Sequence, residues 1–247
     1  MPSLSYQLYS SREWPLIETF ALLQRLGVTE VEGFGPLYDN PAETKAALVA
    51  HGLTMPTGHF ALDMLETDPE GTIAIAKTIG VEAVIVPFVM PDERPTDAAG
   101  WAAFGVRLAK AGKPVVDAGL DFGWHNHAFE FEPCDDGSMP MEHILAGADY
   151  IGVELDLAWV AVAGQDVIEW INHYGPRMIS AHIKDIAPEG QNADEDGWAD
   201  VGTGTMDWAA IHAALQNVGC ERYILEHDKP SDHVRFAETS VAAVRAF

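Results

Sequence analysis

Four segments in the second half of the chain each close a short apolar, strand-like run with polar residues. They are Trp124-His125-Asn126-His127-Ala128-Phe129-Glu130, Glu154-Leu155-Asp156, His182-Ile183-Lys184-Asp185 and Glu226-His227-Asp228. A strand body of this kind does not carry carboxylates into a core without partners, because an unpaired buried charge is heavily penalised. If the polar side chains of all four segments bound one cation, each of them would have a partner. The pattern therefore predicts a divalent-metal site where four strands end.

The remainder of the chain alternates strand-like and helix-like segments. The predicted strands cover residues 4–8, 28–32, 53–59, 83–89, 122–127, 150–157, 178–183 and 223–226. No linker or break in composition separates them, so residues 1–247 are predicted to form one domain. Eight alternations favour an α/β fold with a single (β/α)₈ TIM barrel over an open doubly wound sheet. No Gly-x-Gly-x-x-Gly motif follows the first strand, which disfavours a dinucleotide-binding fold.

Composition excludes several classes of function. The formal net charge of −24 argues against a nucleic-acid or anionic-membrane surface, since both require clusters of Lys and Arg. Cys134 and Cys220 are too few for a disulfide framework and are expected to be free thiols. No signal peptide and no apolar run of the roughly 20 residues needed to span a bilayer is visible. We therefore expect a cytoplasmic globular protein.

One polar segment, residues 188–205, interrupts the alternation before the last predicted strand. It contains Asp194-Glu195-Asp196 and Gly202-Thr203-Gly204. Connections in α/β folds are usually shorter than this segment. Its length and polarity predict either a mobile flap beside the barrel mouth or a disordered stretch.

In a TIM barrel the chemistry lies at the carboxyl ends of the strands, where all four polar segments fall. Side chains alternate along a strand, so residues two apart share a side. Three such pairs are predicted to point inward: Glu154 with Asp156, His182 with Lys184, and Glu226 with Asp228. Carboxylates combined with one imidazole suit Mn²⁺, Mg²⁺ or Co²⁺ better than a thiolate zinc site does. The alternative is a set of buried salt bridges, for example between Glu154 and Lys184.

These motifs resemble those of the xylose-isomerase-like TIM-barrel family. The resemblance rests on residues 124–131, 154–164, 182–185, 201–208 and 225–228 and extends over essentially the whole chain. This superfamily includes sugar phosphate isomerases/epimerases, ketose 3-epimerases, inosose dehydratases and endonuclease IV. The motifs are specific for the superfamily and say little about the substrate. The endonuclease branch is disfavoured, because a chain of charge −24 does not readily build a basic DNA groove.

The resemblance also implies a ligand set, because the family holds one divalent ion with Glu, Asp, His and Glu from strands five to eight. Carried over to this chain, the ligands would be Glu130, Asp156, His182 and Glu226, with Mn²⁺ favoured and Mg²⁺ or Co²⁺ as alternatives. Glu130 lies beyond its strand and must turn back toward the site. His125 occupies the position where an epimerase-like strand carries its Glu, so His125 remains an alternative ligand.

Two departures from the ketose 3-epimerase pattern concern the substrate. Trp159 replaces a substrate-binding His, and Pro188 replaces an Arg, so a plain ketose 3-epimerase is not expected. Residues predicted to contact the substrate at the barrel mouth are Glu32, His59, His125, His127 and Trp159.

The chemistry implied by the resemblance begins with proton removal next to a carbonyl. A divalent ion would polarise a hydroxy-carbonyl pair and stabilise the enediolate. Glu226 or Glu130 would act as base, and Lys184 would stabilise an oxyanion or protonate a leaving hydroxyl. This predicts an isomerase or epimerase of a keto-sugar or sugar phosphate. The alternatives are a dehydratase or lyase of a 3-keto-sugar or keto-inositol and a non-catalytic sugar-binding barrel. The expected partner is a small carbohydrate, and homo-oligomerisation is left open.

Overall fold

The computed structural model describes residues 2–247. Its strands are β1 (Ser3–Gln7), β2 (Glu30–Gly33), β3 (Thr54–His59), β4 (Ala83–Val86), β5 (Asp121–His125), β6 (Ile151–Asp156), β7 (Met178–Ile183), β8 (Asp185–Ile186), β9 (Trp198–Ala199) and β10 (Arg222–Leu225). A closed barrel forms in the order β1-β10-β7-β6-β5-β4-β3-β2, and β2 pairs with β1. Every barrel pair is parallel, so the eight carboxyl ends open on one face. The predicted (β/α)₈ barrel is confirmed.

Helices surround the barrel. They are α1 (Leu16–Leu26), α2 (Pro41–Ala50), α3 (Leu62–Thr67), α4 (Pro69–Ile79), α5 (Ala98–Asp117), α6 (Pro140–Leu145), α7 (Leu157–Val162), α8 (Val167–Tyr174), α9 (Trp208–Asn217) and α10 (His233–Val244). Asp97 and Asp207 cap α5 and α9 by accepting hydrogen bonds from the backbone N–H groups of the first turn. Within residues 2–247, no helix is both long and apolar enough to cross a membrane.

The strand that carries His125 is held by a close contact with α5. Gly112 of that helix lies against the ring of Phe122 on β5, and a Cβ at this position would meet ring carbons at 2.2 Å. Phe122 and Trp124 are both buried. Glycine is therefore required where the longest helix crosses the strand, and the contact fixes the position of the strand end.

The segment 188–205 is folded, which contradicts the disordered stretch that was one of the two expectations from its composition; the mobile flap stays a prediction. Strands β8 and β9 pair antiparallel through Asp185 with Ala199 and Ile186 with Trp198. A 3₁₀ turn at Ala193–Glu195 follows Asn192, which has a positive φ of 50°. Trp198 is buried. Hairpin pairing and an apolar anchor thus order a stretch whose polarity suggested the opposite.

Asp185 explains why this segment folds. Its carboxylate accepts hydrogen bonds from the backbone N–H groups of Gly202 (2.8 Å), Gly204 (3.1 Å) and Met206 (3.1 Å) and from the indole N–H of Trp208 (2.8 Å). A Cβ at Gly204 would meet the Asp185 carboxylate at 2.2 Å. The Gly-Thr-Gly-Thr-Met-Asp-Trp sequence therefore serves as a cradle for a buried carboxylate.

Candidate metal centre

Side chains from several strand ends meet at the barrel mouth. Two groups of four residues each offer ligand atoms that all lie within 4.8 Å of one another. The upper group comprises His125, Asp156, His182 and Glu226, and the lower group comprises His59, His125, Glu154 and His182. The closed parallel barrel produces this convergence, because β5, β6, β7 and β10 are consecutive neighbours in it.

The upper group is assembled around the imidazole of His182. Its Nδ1 lies 2.9 Å from Glu226 Oε2 and 3.9 Å from Asp156 Oδ2. Burial alone would lower the pKa of His182, but the surrounding carboxylates, Glu154 first among them, raise it well above its usual range. His125 behaves differently: burial and the charge of His182 lower its pKa to about 4. His125 is therefore neutral near pH 7, the form in which an imidazole binds a metal.

The two carboxylate oxygens of Asp156 have different partners. Its Oδ1 accepts a hydrogen bond from the backbone N–H of Trp159 at 2.9 Å and so caps α7. Its Oδ2 is buried and forms a salt bridge with the Lys184 ammonium at 3.0 Å. The charged oxygen therefore faces a cation in this structure, as a metal ligand would. Two carboxylates and two imidazoles suit a divalent transition metal, but this donor set does not select Mn²⁺.

Glu130 is not brought to either group, which corrects the ligand set expected from the family pattern. After β5 the chain enters a 3₁₀ turn at Phe129–Phe131. There Glu130 Oε1 accepts the indole N–H of Trp124 (3.0 Å) and Oε2 accepts the backbone N–H of His127 (2.8 Å). Burial raises the pKa of Glu130 to about 8. The side chain holds the strand exit in place, and His125 stands where the first ligand was expected.

Lys184 lies above this group, buried and surrounded by carboxylates. Its Nζ is 3.0 Å from Asp156 Oδ2, 2.9 Å from Glu226 Oε2 and 3.0 Å from Asp228 Oδ2. It also lies 4.7 Å from the ring centroid of Trp198. Burial would lower the pKa of Lys184, but these carboxylates, Asp156 first, raise it, so the ammonium stays charged. The sequence allowed an ion pair between Lys184 and Glu154 as the alternative to a metal site. In the structure Lys184 pairs with these three carboxylates instead.

Glu154 instead organises the lower group. Its Oε1 lies 2.6 Å from His59 Nε2 and 3.0 Å from His182 Nε2, and its Oε2 accepts a hydrogen bond from Ser180 Oγ at 2.7 Å. Burial opposes its ionisation, yet the neighbouring imidazoles of His182 and His59 lower its pKa well below the usual range. The ionised Glu154 thus lies beside the second nitrogen of His182, and a carboxylate in that place fixes the orientation of a ligating imidazole.

Glu32 completes the lower layer from the opposite side of the barrel. Its Oε1 lies 2.7 Å from His182 Nε2 and accepts a hydrogen bond from the Gln7 amide at 2.8 Å. Burial and the charge of Glu154 raise the pKa of Glu32 to about 7. Sequence reasoning missed Gln7 and Ser180, although each occupies an inward position on β1 or β7 and Ser180 lies two residues before His182.

A cavity of about 890 Å³ opens beside the upper group, and His125 and Glu226 of that group line it. Of the residues predicted to bind substrate, His59, His125, His127 and Trp159 line it, whereas Glu32 is fully buried and does not. His127 Nδ1 and Trp159 Nε1 are buried polar atoms with no hydrogen-bond partner among residues 2–247. Both are thus available to oxygen atoms of a bound molecule.

Fold and site together define a (β/α)₈ barrel whose mouth gathers two groups of candidate metal ligands. The family described as xylose isomerase-like TIM barrel matches residues 20–246, and the chain belongs to this family. None of the curated proteins matches the chain.

Solved structures with the same fold share little sequence with the chain. A sugar phosphate isomerase/epimerase from Parabacteroides distasonis is 20% identical, covers 99% of this chain and 94% of its own, and has a TM-score of 0.83. The IOLI protein, solved with a bound zinc atom, is 18% identical, covers 100% and 97%, and has a TM-score of 0.80. The 3-keto-D-glucoside 4-epimerase YcjR from E. coli is 15% identical over 100% of both chains, with a TM-score of 0.74.

Proposed function

We propose that this protein is a divalent-metal-dependent isomerase or epimerase of a small carbohydrate. The observation that carries the proposal is the buried group of His125, Asp156, His182 and Glu226, whose ligand atoms all lie within 4.8 Å of one another. The names of the similar structures support it: two are sugar isomerases or epimerases, and one was solved with zinc.

His125, Asp156, His182 and Glu226 would hold the ion. When bound, it would supply Lewis-acid polarisation of a carbonyl and an adjacent hydroxyl. Zn²⁺, Co²⁺ and Mn²⁺ are all compatible with two imidazoles and two carboxylates. Glu32 would keep His182 oriented by accepting the hydrogen bond of its Nε2 at 2.7 Å, and Glu154 Oε1 lies 3.0 Å from the same nitrogen.

Glu226 is the residue we assign as the base. It lines the cavity, and its Oε2 is held by His182 and Lys184 at 2.9 Å each. Burial opposes ionisation of Glu226, but the Lys184 ammonium lowers its pKa well below the usual range, so the carboxylate is ionised and able to accept a proton. Glu130, the other base considered from the sequence, is buried and engaged by Trp124 and His127.

Lys184 would stabilise negative charge that develops on the substrate oxygen. Its buried ammonium lies among Asp156, Glu226 and Asp228, of which Glu226 and Asp228 line the cavity. Because the ammonium is already held in position, no free energy is spent on moving it during the reaction. The same ammonium could donate a proton to a leaving hydroxyl, and this favours dehydration or β-elimination as the second candidate reaction.

Proton exchange with solvent tests the proposal and separates the candidates. The protein, reconstituted with Zn²⁺, Mn²⁺ or Co²⁺, would be incubated in deuterated water with a panel of ketoses and 3-keto-sugars. Deuterium incorporation without loss of water indicates isomerisation or epimerisation, and incorporation with loss of water indicates dehydration. Binding without any exchange would leave only a sugar-binding barrel and contradict an enzymatic role.

A further inference from the structure

The cavity is larger than the metal centre requires. Its volume of about 890 Å³ lies near the upper end of the roughly 300–1,000 Å³ typical of pockets that bury drug-sized ligands. A single hexose is considerably smaller than such a ligand. The metal centre occupies one side of the cavity, and the other side extends over the loops that follow β1 to β4.

That second side presents mainly carbon to the cavity. We call it the apolar wall, formed by Phe34, Leu62, Met64, Phe88 and Met90. Met90 is 57% exposed at the rim, and Phe34 packs edge-to-face against Tyr9. Aromatic and aliphatic side chains of this kind bind the flat apolar face of a ring.

The cations that line the cavity are already engaged by the protein. In the part of the chain that the structure describes they are Arg12, Arg107 and Lys229. Arg12 donates to the backbone carbonyls of Tyr9 and Asp228 at 2.9 and 2.7 Å. Arg107 pairs through two nitrogens with Glu66 at 2.7 Å, and Lys229 lies 2.9 Å from Asp196.

Carboxylates outnumber these cations in the cavity lining. Asp63 and Glu93 lie on the far side, and Asp196, Glu226 and Asp228 follow β7 and β10 on the side of the metal centre. A phosphate group needs several N–H donors or cations that are free to turn toward it, and like charges repel it. The far side of the cavity is therefore chemically suited to an uncharged group and not to a phosphate.

We propose that the apolar wall is a second subsite that holds an uncharged ring attached to the reacting sugar. The substrate is then a neutral glycoside, whose second ring is either another sugar or an aryl group, and not a free sugar or a sugar phosphate. The inference rests on the proposed function, because it places the reacting sugar at the metal centre. Burial of one such apolar group is expected to favour two-ring ligands by roughly 10–200-fold.

Binding of unreactive sugars tests the subsite without requiring turnover. Titration calorimetry on the zinc-loaded protein would compare glucose, glucose 6-phosphate, cellobiose and phenyl β-glucoside. We expect cellobiose or phenyl β-glucoside to bind at least about tenfold more tightly than glucose, and glucose 6-phosphate to gain nothing. Comparison of the two glycosides shows whether the second ring is a sugar or an aryl group.

The substitution Met90→Asp places a charge in the apolar wall at an exposed position that does not contribute to the core. Val49→Asp is the matched control, since Val49 is 64% exposed on α2 and lies outside the cavity. We expect Met90→Asp to weaken the preferred two-ring probe at least about fivefold and to leave glucose binding unchanged, with no effect of Val49→Asp.

Three results would overturn the inference: two-ring probes that bind no better than glucose, tighter binding of glucose 6-phosphate, or equal effects of the two substitutions. Failure of the proposed function is a separate result, since it would appear as the absence of deuterium exchange with every keto-sugar while glycoside binding persists.

Discussion

The two halves of the barrel mouth differ in what they present and in how it is held. On the side of β5, β6, β7 and β10, charged side chains such as Asp156 and His182 project from the strand ends themselves. On the side of β1 to β4, Glu32 and His59 join this charged network from the strand ends, while the loops line the cavity mainly with carbon atoms of residues such as Phe34 and Phe88. Charge requires rigid placement, because each buried ion needs partners within hydrogen-bond distance. An apolar wall needs only shape, so loops suffice for it.

The charged half is also the half in which single substitutions have the largest consequences. Lys184 balances three carboxylates, and Glu154 is shared by His59 and His182. Removing one member of such a network leaves another charge buried without a partner. In the apolar half, a truncated side chain only enlarges a cavity that is already open to solvent.

The largest expected effect follows from Asp156→Ala. Deuterium exchange into a keto-sugar should fall by at least about 10²–10³-fold, the scale seen when a group that stabilises developing charge is removed. Asp63→Ala is the control in the other half, because Asp63 is also a carboxylate that lines the cavity. Its exchange rate should stay within a few-fold of the native rate. NMR measures the exchange rates. Equal decreases in the exchange rates of the two variants would contradict the proposed difference between the halves.

Lys184→Met should make the stability of the protein depend on metal. Without the ammonium, Asp156, Glu226 and Asp228 repel one another, and breaking a buried ion pair costs about 3–5 kcal/mol. We expect the metal-free variant to melt well below the native protein, added Zn²⁺ to restore much of the difference, and turnover to fall at least about tenfold. Scanning calorimetry with and without Zn²⁺ checks this, and a melting temperature indifferent to metal would contradict it.

Glu154→Gln should reduce metal affinity or turnover by about 10–100-fold, the usual effect of losing the partner of a ligating imidazole. The variant keeps the size of the side chain and removes its charge beside His59 and His182. Glu70→Gln, on the exposed surface of α4, is the control. Metal titration followed by mass spectrometry measures the effect. Unchanged affinity and unchanged turnover would make Glu154 a purely structural residue.

The smallest expected effect concerns the clamp between the hairpin segment and α10. Burial raises the pKa of Glu195, but hydrogen bonds from Ser231 and Arg235 lower it to about 2. A carboxyl whose pKa is lowered on folding stabilises the protein above its unfolded pKa, and this stabilisation is lost as the pH falls through the folded value. Glu195→Gln should therefore cost about 1–3 kcal/mol at pH 7.

The difference between native protein and Glu195→Gln should be constant from pH 6 to 8 and shrink below about pH 4.5. Urea unfolding of both proteins at several pH values measures it. A difference that grows on acidification would contradict the assignment of an ionised, hydrogen-bonded Glu195.

Much of the barrel could be predicted from local pattern. The strand at 178–183 has the same bounds in the structure, and the other barrel strands differ by a few residues at their ends. Parallel strands covered on both faces form uninterrupted apolar runs, which makes them visible in one sequence. The residues of β7 that face the barrel interior could be predicted too, because the alternation of side chains along a strand is visible in the local sequence.

What could not be predicted depends on contacts between distant residues. The 3₁₀ turn at 129–131 directs Glu130 toward Trp124, and nothing in the local sequence distinguishes this from a turn toward the metal centre. The segment 188–205 is ordered by Asp185, whose cradle comes from residues 17 or more positions away. Short helices α3 and α7 have too few residues to show a helical period.

Metal stoichiometry in two variants tests the central claim most directly. After dialysis against the same low concentration of free Zn²⁺, the native protein and Glu130→Gln should each retain about one ion per chain, and His125→Ala should retain far less. Inductively coupled plasma mass spectrometry on the three proteins gives the answer. Retention by His125→Ala together with loss from Glu130→Gln would contradict the assignment of His125, Asp156, His182 and Glu226 as the metal-binding group.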